Sequence, residues 1–294
     1  MEQQLEEILI KEVALSRRKF LDILGKGSLI LLFDAIAPKY IAQAAQITRA
    51  IVNSDGSVTE SESQYFAKQV EEADRIASNY LGMRFDGTYR IDISRQHRTS
   101  RALLFVYKGE RGYMEFPARS IERDNAAVVH EVTHVIAPNY NRFLAEGLAV
   151  YMQDKFSSKS VPPTFGKDLH AGASESELKL EDLIRETKDY FYYWSRRNIG
   201  TQEVINAYFH AGSLVKFLME NEAYGADEKA RLERFKKLYA LAEKGEGKMF
   251  GIAYGKSLPE IEKEWRSYIT GQKQRSGLLE PLFAANQKLT LAGM

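Results

Sequence analysis

The chain has 294 residues, with 41 Lys and Arg against 40 Asp and Glu, and no cysteine. Without cysteine it can form neither disulfides nor a cysteine-linked lipid anchor. A net charge of +1 gives it no electrostatic reason to seek nucleic acid, and no partner of that kind is expected.

Ser16-Arg17-Arg18-Lys19-Phe20-Leu21 resembles a twin-arginine export signal. A moderately apolar stretch, Ile23–Ala37, follows it, and then Ala42-Gln43-Ala44, a small-x-small cleavage pattern. Residues 1–44 are therefore expected to be a signal segment that delivers the folded protein to the periplasm or cell envelope. The membrane would be touched only in transit. Lys26 and Asp34 interrupt the apolar stretch and argue against a membrane-spanning helix. Four glutamates precede the motif and Asp22 stands where a lysine is usual, so an amphipathic cytoplasmic helix pair is the competing reading.

Residues 45–294 are expected to form one domain or two lobes about a cleft. The pattern predicts a helix over 61–81 and strands near 88–94, 102–108 and 112–117. Gly112–Pro117 reads as an edge strand able to pair with an extended substrate backbone, with Glu115 as a solvated side chain. His97 lies in the polar run Ser94–Arg101 and His170 in a Gly-containing loop. Neither has a partner at ligand spacing, and both are read as surface histidines.

The polar segment 156–177 is expected to be the most mobile loop. Helices follow over 178–197, 202–222, 227–244 and 258–270. Leu258, Ile261, Trp265 and Ile269 form a packing stripe on the last of them. The aromatic run Asp189–Trp194 reads as core or interface. Strands first and helices later is an α+β pattern. A small N-terminal β-sheet and two site helices reach to about 155, and a mostly helical C-terminal lobe covers about 178–271.

The chemistry concentrates at His130-Glu131-Val132-Thr133-His134. The segment 123–137 is predicted to be a helix capped by Asp124 and ended by Pro138. On such a helix His130 and His134 lie one turn apart on one face, so both imidazoles can reach one ion. Val128, Val132 and Val135 form the apolar stripe, which leaves Ala127, His130, Glu131 and His134 toward a cleft. A zinc site that performs chemistry needs three protein ligands and one open position. An elongated motif would require a histidine at position 140, where the chain has Tyr140. The nearby acids are Glu146 and Asp154. A loop over Pro138–Asn141 can fold the helix carrying Phe143, Leu144, Leu148 and Tyr151 back across the first, which favours Glu146. Glu131 is then placed to act as general base toward water, as in zinc-dependent peptidases.

His130–His134 and Phe143–Tyr151 resemble the gluzincin branch of zinc peptidases, most of all the peptidase MA-like family of bacterial envelope proteins. Phe143–Ala149 is also similar to the Trp-Leu-x-Glu-Gly-Phe-Ala run of M1-type aminopeptidases. Softer likeness extends over Ala207–Leu218 and Phe250–Ile269, so that it spans roughly half the chain. The resemblance implies a one-zinc hydrolase acting on a peptide or protein substrate. It also implies an oxyanion donor, a tyrosine or histidine, on a later helix. Tyr208 matches the family's Tyr-x-x-Ala pattern and His210 is the second candidate; a core tyrosine with a satisfied hydroxyl is the alternative for Tyr208. Thermolysin-like relatives carry an aspartate four residues after the ligand glutamate, and here that position is Val150. A non-catalytic envelope scaffold that binds peptides on the same fold is the competing function.

Overall fold

The computed structural model describes residues 50–102, 112–157, 161–185, 191, 201–244 and 248–272. The chain divides into two compact units, Met1–Ile47 and Thr48–Met294. Every described residue belongs to the second, and the export-signal reading lies outside the described residues.

A capping box starts the first long helix. Thr59 accepts from the Glu62 backbone N–H while the Glu62 carboxylate accepts from the Thr59 backbone. Helix α1 (Glu60–Leu81) buries Phe66, Val70, Ala73, Ala77 and Leu81, and its left-handed Gly82 ends it. Strands β1 (Ala50–Ser54), β2 (Tyr89–Ser94), β3 (Arg101–Ala102) and β4 (Tyr113–Pro117) form one sheet in the order β1-β2-β4-β3. The first three in that order run parallel, and β3 is antiparallel to β4. Alternation puts Ile91, Ile93, Met114 and Phe116 on one face, fully buried. Phe66 of α1 meets Phe116 edge-on at 4.9 Å between ring centroids.

The order corrects one expectation. β4 is interior, flanked by β2 and β3, and so is not an edge strand. Glu115 is correspondingly buried and not solvated; it pairs with Arg101 opposite and lies 3.5 Å from His97 Nδ1. His97 also reaches Asp92 at 3.2 Å, so it is a half-buried link between two carboxylates, not a free surface group. The strand β1 had no clear signature, because Ala50–Ser54 lacks apolar alternation.

A short helix α2 (Ala118–Glu122) leads to α3 (Val128–Ile136) and α4 (Arg142–Phe156). The expected start of α3 at 123–124 fails because Asp124 adopts a positive φ of 50°, which breaks the helix and bars it from capping. Helix α5 (Leu169–Ala173) occupies part of the segment expected to be a mobile loop. Leu169 and His170 are buried there, so His170 is not a surface histidine. Where a helix was expected over 178–197, helix α6 covers only Leu180–Ile184, between its N-cap Lys179 and C-cap Arg185, and residues 186–190 and 192–197 lie outside the described residues. Of the Asp189–Trp194 run only Phe191 is described, and it is buried.

Then come α7 (Thr201–Glu220), α8 (Glu228–Glu243, capped by Asp227), the short α9 (Met249–Tyr254) and α10 over 258–272. Ile261, Trp265 and Ile269 are buried as the stripe requires. The result is a mixed α+β molecule, a small four-stranded sheet followed by a helical lobe. Among the described residues no helix is long and apolar enough to cross a membrane.

Candidate metal centre

Two helices and the turn between them set the centre. Pro138 stops α3, and Asn141 caps α4 by accepting the Leu144 N–H at 3.1 Å. Asn139 is almost fully buried in the turn. Its amide donates to the Tyr239 carbonyl at 2.7 Å, and its side-chain oxygen accepts the Asn141 N–H at 2.8 Å. The Tyr239 hydroxyl donates to the Ala137 carbonyl at 2.7 Å. Helix α8 thus clamps the hairpin that joins the two site helices.

The start of α3 has no side-chain cap of its own, since Ala127 occupies that place. Gln153, two turns beyond Glu146 on α4, supplies the missing acceptor to the His130 N–H at 3.1 Å. Helix α7 crosses α4 closely. A Cβ at Gly147 would lie 2.6 Å from the Ala211 carbonyl oxygen, and one at Gly212 would lie 2.4 Å from Val150 Cγ1. The Val150 position, where an orienting aspartate stands in thermolysin-like enzymes, is here part of that helix contact.

This scaffold brings His130, His134 and Glu146 together, all buried. His130 Nε2, His134 Nε2 and Glu146 Oε2 form a triangle with every edge 3.2 Å. An N–H at each Nε2 can serve the two edges to the carboxylate, but the nitrogen–nitrogen edge then sets two donors face to face. One cation serves all three atoms. A tetrahedral ion bound to nitrogen and oxygen at about 2.0–2.1 Å sets neighbouring ligand atoms about 3.3–3.4 Å apart, close to these edges. The Nδ1 atoms of both histidines are buried without a hydrogen-bond partner among the described residues. The group can therefore hold a metal ion, and its two-imidazole, one-carboxylate donor set suits a divalent first-row transition metal. Asp154, the other acid considered, is engaged by Lys216 at 2.9 Å and stands outside the group.

Electrostatics separate the two glutamates. Burial pushes Glu131 up to about 7, with the Glu146 charge adding to the rise and His130 opposing it. The Ala102 backbone on β3 also opposes the rise at Glu131. Burial raises Glu146 too, yet the charges and hydrogen bonds of His134 and His130 outweigh it and hold that carboxyl well below the usual range. Arg142 places a guanidinium nitrogen 3.7 Å from Glu146 Oε1.

Tyr208 lies on α7, within reach of the charges of this group. Burial raises its hydroxyl well above the ordinary tyrosine range, and the Glu146 and Glu131 charges add to that while Arg142 opposes it. Its ring meets Phe191 edge-on at 5.2 Å. His210 is turned elsewhere: Nδ1 lies 2.8 Å from the Asn206 carbonyl and the ring packs on Trp265 at 5.3 Å. Of the two oxyanion-donor candidates only Tyr208 feels the charges of Glu146 and Glu131; those acting on His210 are Arg266 and Glu262. Sequence reasoning missed Arg142, Asn139, Gln153 and Tyr239, whose polar types carried no motif.

No protein-family model and no curated protein matches the chain. Among solved structures it is similar to a point mutant of an M1 zinc metallopeptidase from Deinococcus radiodurans, at 15% identity and a TM-score of 0.38. The alignment covers 74% of this chain and 47% of that one, so the chain spans about half the length of that protein. A likeness this loose carries no argument about fold or chemistry.

Proposed function

We propose that the protein is a zinc-dependent peptidase that hydrolyses peptide bonds in a peptide or protein substrate outside the cytoplasm. The observation that carries this reading is the 3.2 Å triangle of His130, His134 and Glu146 with Glu131 beside it. His130, His134 and Glu146 would hold the ion. When bound, it supplies Lewis acidity, polarising a carbonyl and acidifying water. Glu131 acts as general base: it takes the proton from the attacking water and delivers it to the leaving amine. Its carboxyl, raised toward neutrality by burial, suits a group that must both accept and release a proton. Tyr208, neutral at working pH, donates its hydroxyl proton in a hydrogen bond to the oxyanion that develops on the scissile carbonyl.

A scaffold that only binds peptides would have no use for a buried carboxylate next to the first histidine. The twin-arginine-like stretch Ser16–Leu21 supports export, and the near-balanced charge supports a partner other than nucleic acid. The test is turnover of a peptide library by the zinc-loaded protein, with and without chelator, beside Glu131→Gln. Hydrolysis lost in the variant while metal content is kept supports the reading; a fully active variant overturns it.

A further inference from the structure

The sequence places Arg142 where helix stability alone would not. It is the first residue of α4, so its fixed positive charge sits at the positive end of the helix dipole. It also precedes its acidic partner Glu146 by four residues, the poorer order for a helical ion pair. Its side chain is nevertheless largely buried, 18% exposed, and the carboxylate it faces is 6% exposed. Withdrawing a guanidinium from water is costly unless it serves a charged partner.

The partner's two oxygens do different work. Glu146 Oε2 lies 3.2 Å from both imidazoles, while Oε1 lies 3.7 Å from the Arg142 guanidinium. We propose that Arg142 is a positioning residue that occupies the Oε1 side of Glu146, so that this carboxylate offers a cation one oxygen and not two. A second carboxylate oxygen would fill the position that a catalytic site keeps for water or substrate.

The inference rests on the metal reading above, and it has a distinctive sign. Arg142 repels an incoming cation and restrains one of its possible ligand atoms, so removing it does not weaken binding. In the whole 294-residue chain, Arg142→Met is expected to bind cobalt(II) at least as tightly as the unaltered chain. Its visible d–d bands should lose intensity as the coordination number rises, and peptide turnover should fall by about tenfold or more. Arg142→Lys, which keeps the charge, is expected to retain the original spectrum. If Arg142→Met does not fold, Arg142→Gln is read the same way. An unchanged spectrum in the charge-free variants overturns the proposal, as does loss of cobalt together with a lowered Tm. If the unaltered protein takes up no cobalt, the metal reading itself fails.

Discussion

The side-chain oxygen of Gln153 accepts the backbone N–H of His130 at 3.1 Å and so joins the helix that carries both histidines to the helix that carries Glu146. The two residues are 23 positions apart, and both are buried. Geometry at the centre therefore depends on a group that need not touch the ion.

Gln153→Leu leaves the His130 N–H without its acceptor in a dry environment. It is expected to lower stability by about 1–3 kcal/mol and to weaken metal affinity by roughly 10-fold. Urea denaturation of the metal-free and loaded forms, together with competition against a chelating dye, measures both. A variant with unchanged metal affinity would show that the link is structural alone.

Gly147→Ala places a methyl group 2.6 Å from the Ala211 carbonyl oxygen, which is backbone and can yield only by parting α4 from α7. The expected cost is about 1–3 kcal/mol. Because Tyr208 rides on α7, turnover should fall more than stability alone explains. Thermal unfolding and steady-state kinetics, compared with Gly251→Ala, where a Cβ meets open space, separate the two effects.

Tyr208→Phe removes the donor and keeps the ring against Phe191. The expected result is a kcat reduced by about 10²–10³-fold with zinc content unchanged. A loss confined to KM would assign Tyr208 to substrate binding instead.

Stability should fall on mild acidification through two histidines outside the metal group. His170 Nδ1 lies 2.7 Å from Ser213 Oγ, which accepts from Trp265 Nε1, and burial, with Lys216 adding, lowers His170 to about 4. Burial lowers His210 to about 4 as well. Both are neutral in the fold, whereas the unfolded chain binds protons near 6.5. Stability is thus fully present above that value and is lost as pH falls from about 6.5 toward about 4, by up to about 1.4 kcal/mol per pH unit for each histidine. Urea unfolding of the metal-free protein across that range, with His170→Gln as the comparison, should show a shallower slope in the variant; equal slopes would contradict the assignment.

Much of the centre was legible because helical period and residue type coincide there. Two histidines one turn apart, the valine stripe, and a second apolar helix that carries Glu146 specify a face and its partner. What could not be read were contacts between polar residues far apart in the chain, such as Asn139 and Tyr239. In sequence such residues look like solvated surface. Strand order was likewise hidden: Gly112–Pro117 carries the same alternation whether it lies at the edge or inside, and only pairing with β3 buries Glu115. Asp124 misled because aspartate is both a good cap and a residue that tolerates positive φ, and the chain uses the second property.

The central claim is that His130, His134 and Glu146 share one cation. X-ray absorption at the metal edge of the zinc-loaded protein tests it most directly. The account predicts one ion per chain, with scattering from two imidazoles and one carboxylate oxygen at about 2.0–2.1 Å. A chain that retains no stoichiometric ion, or a spectrum without imidazole scattering, would contradict it.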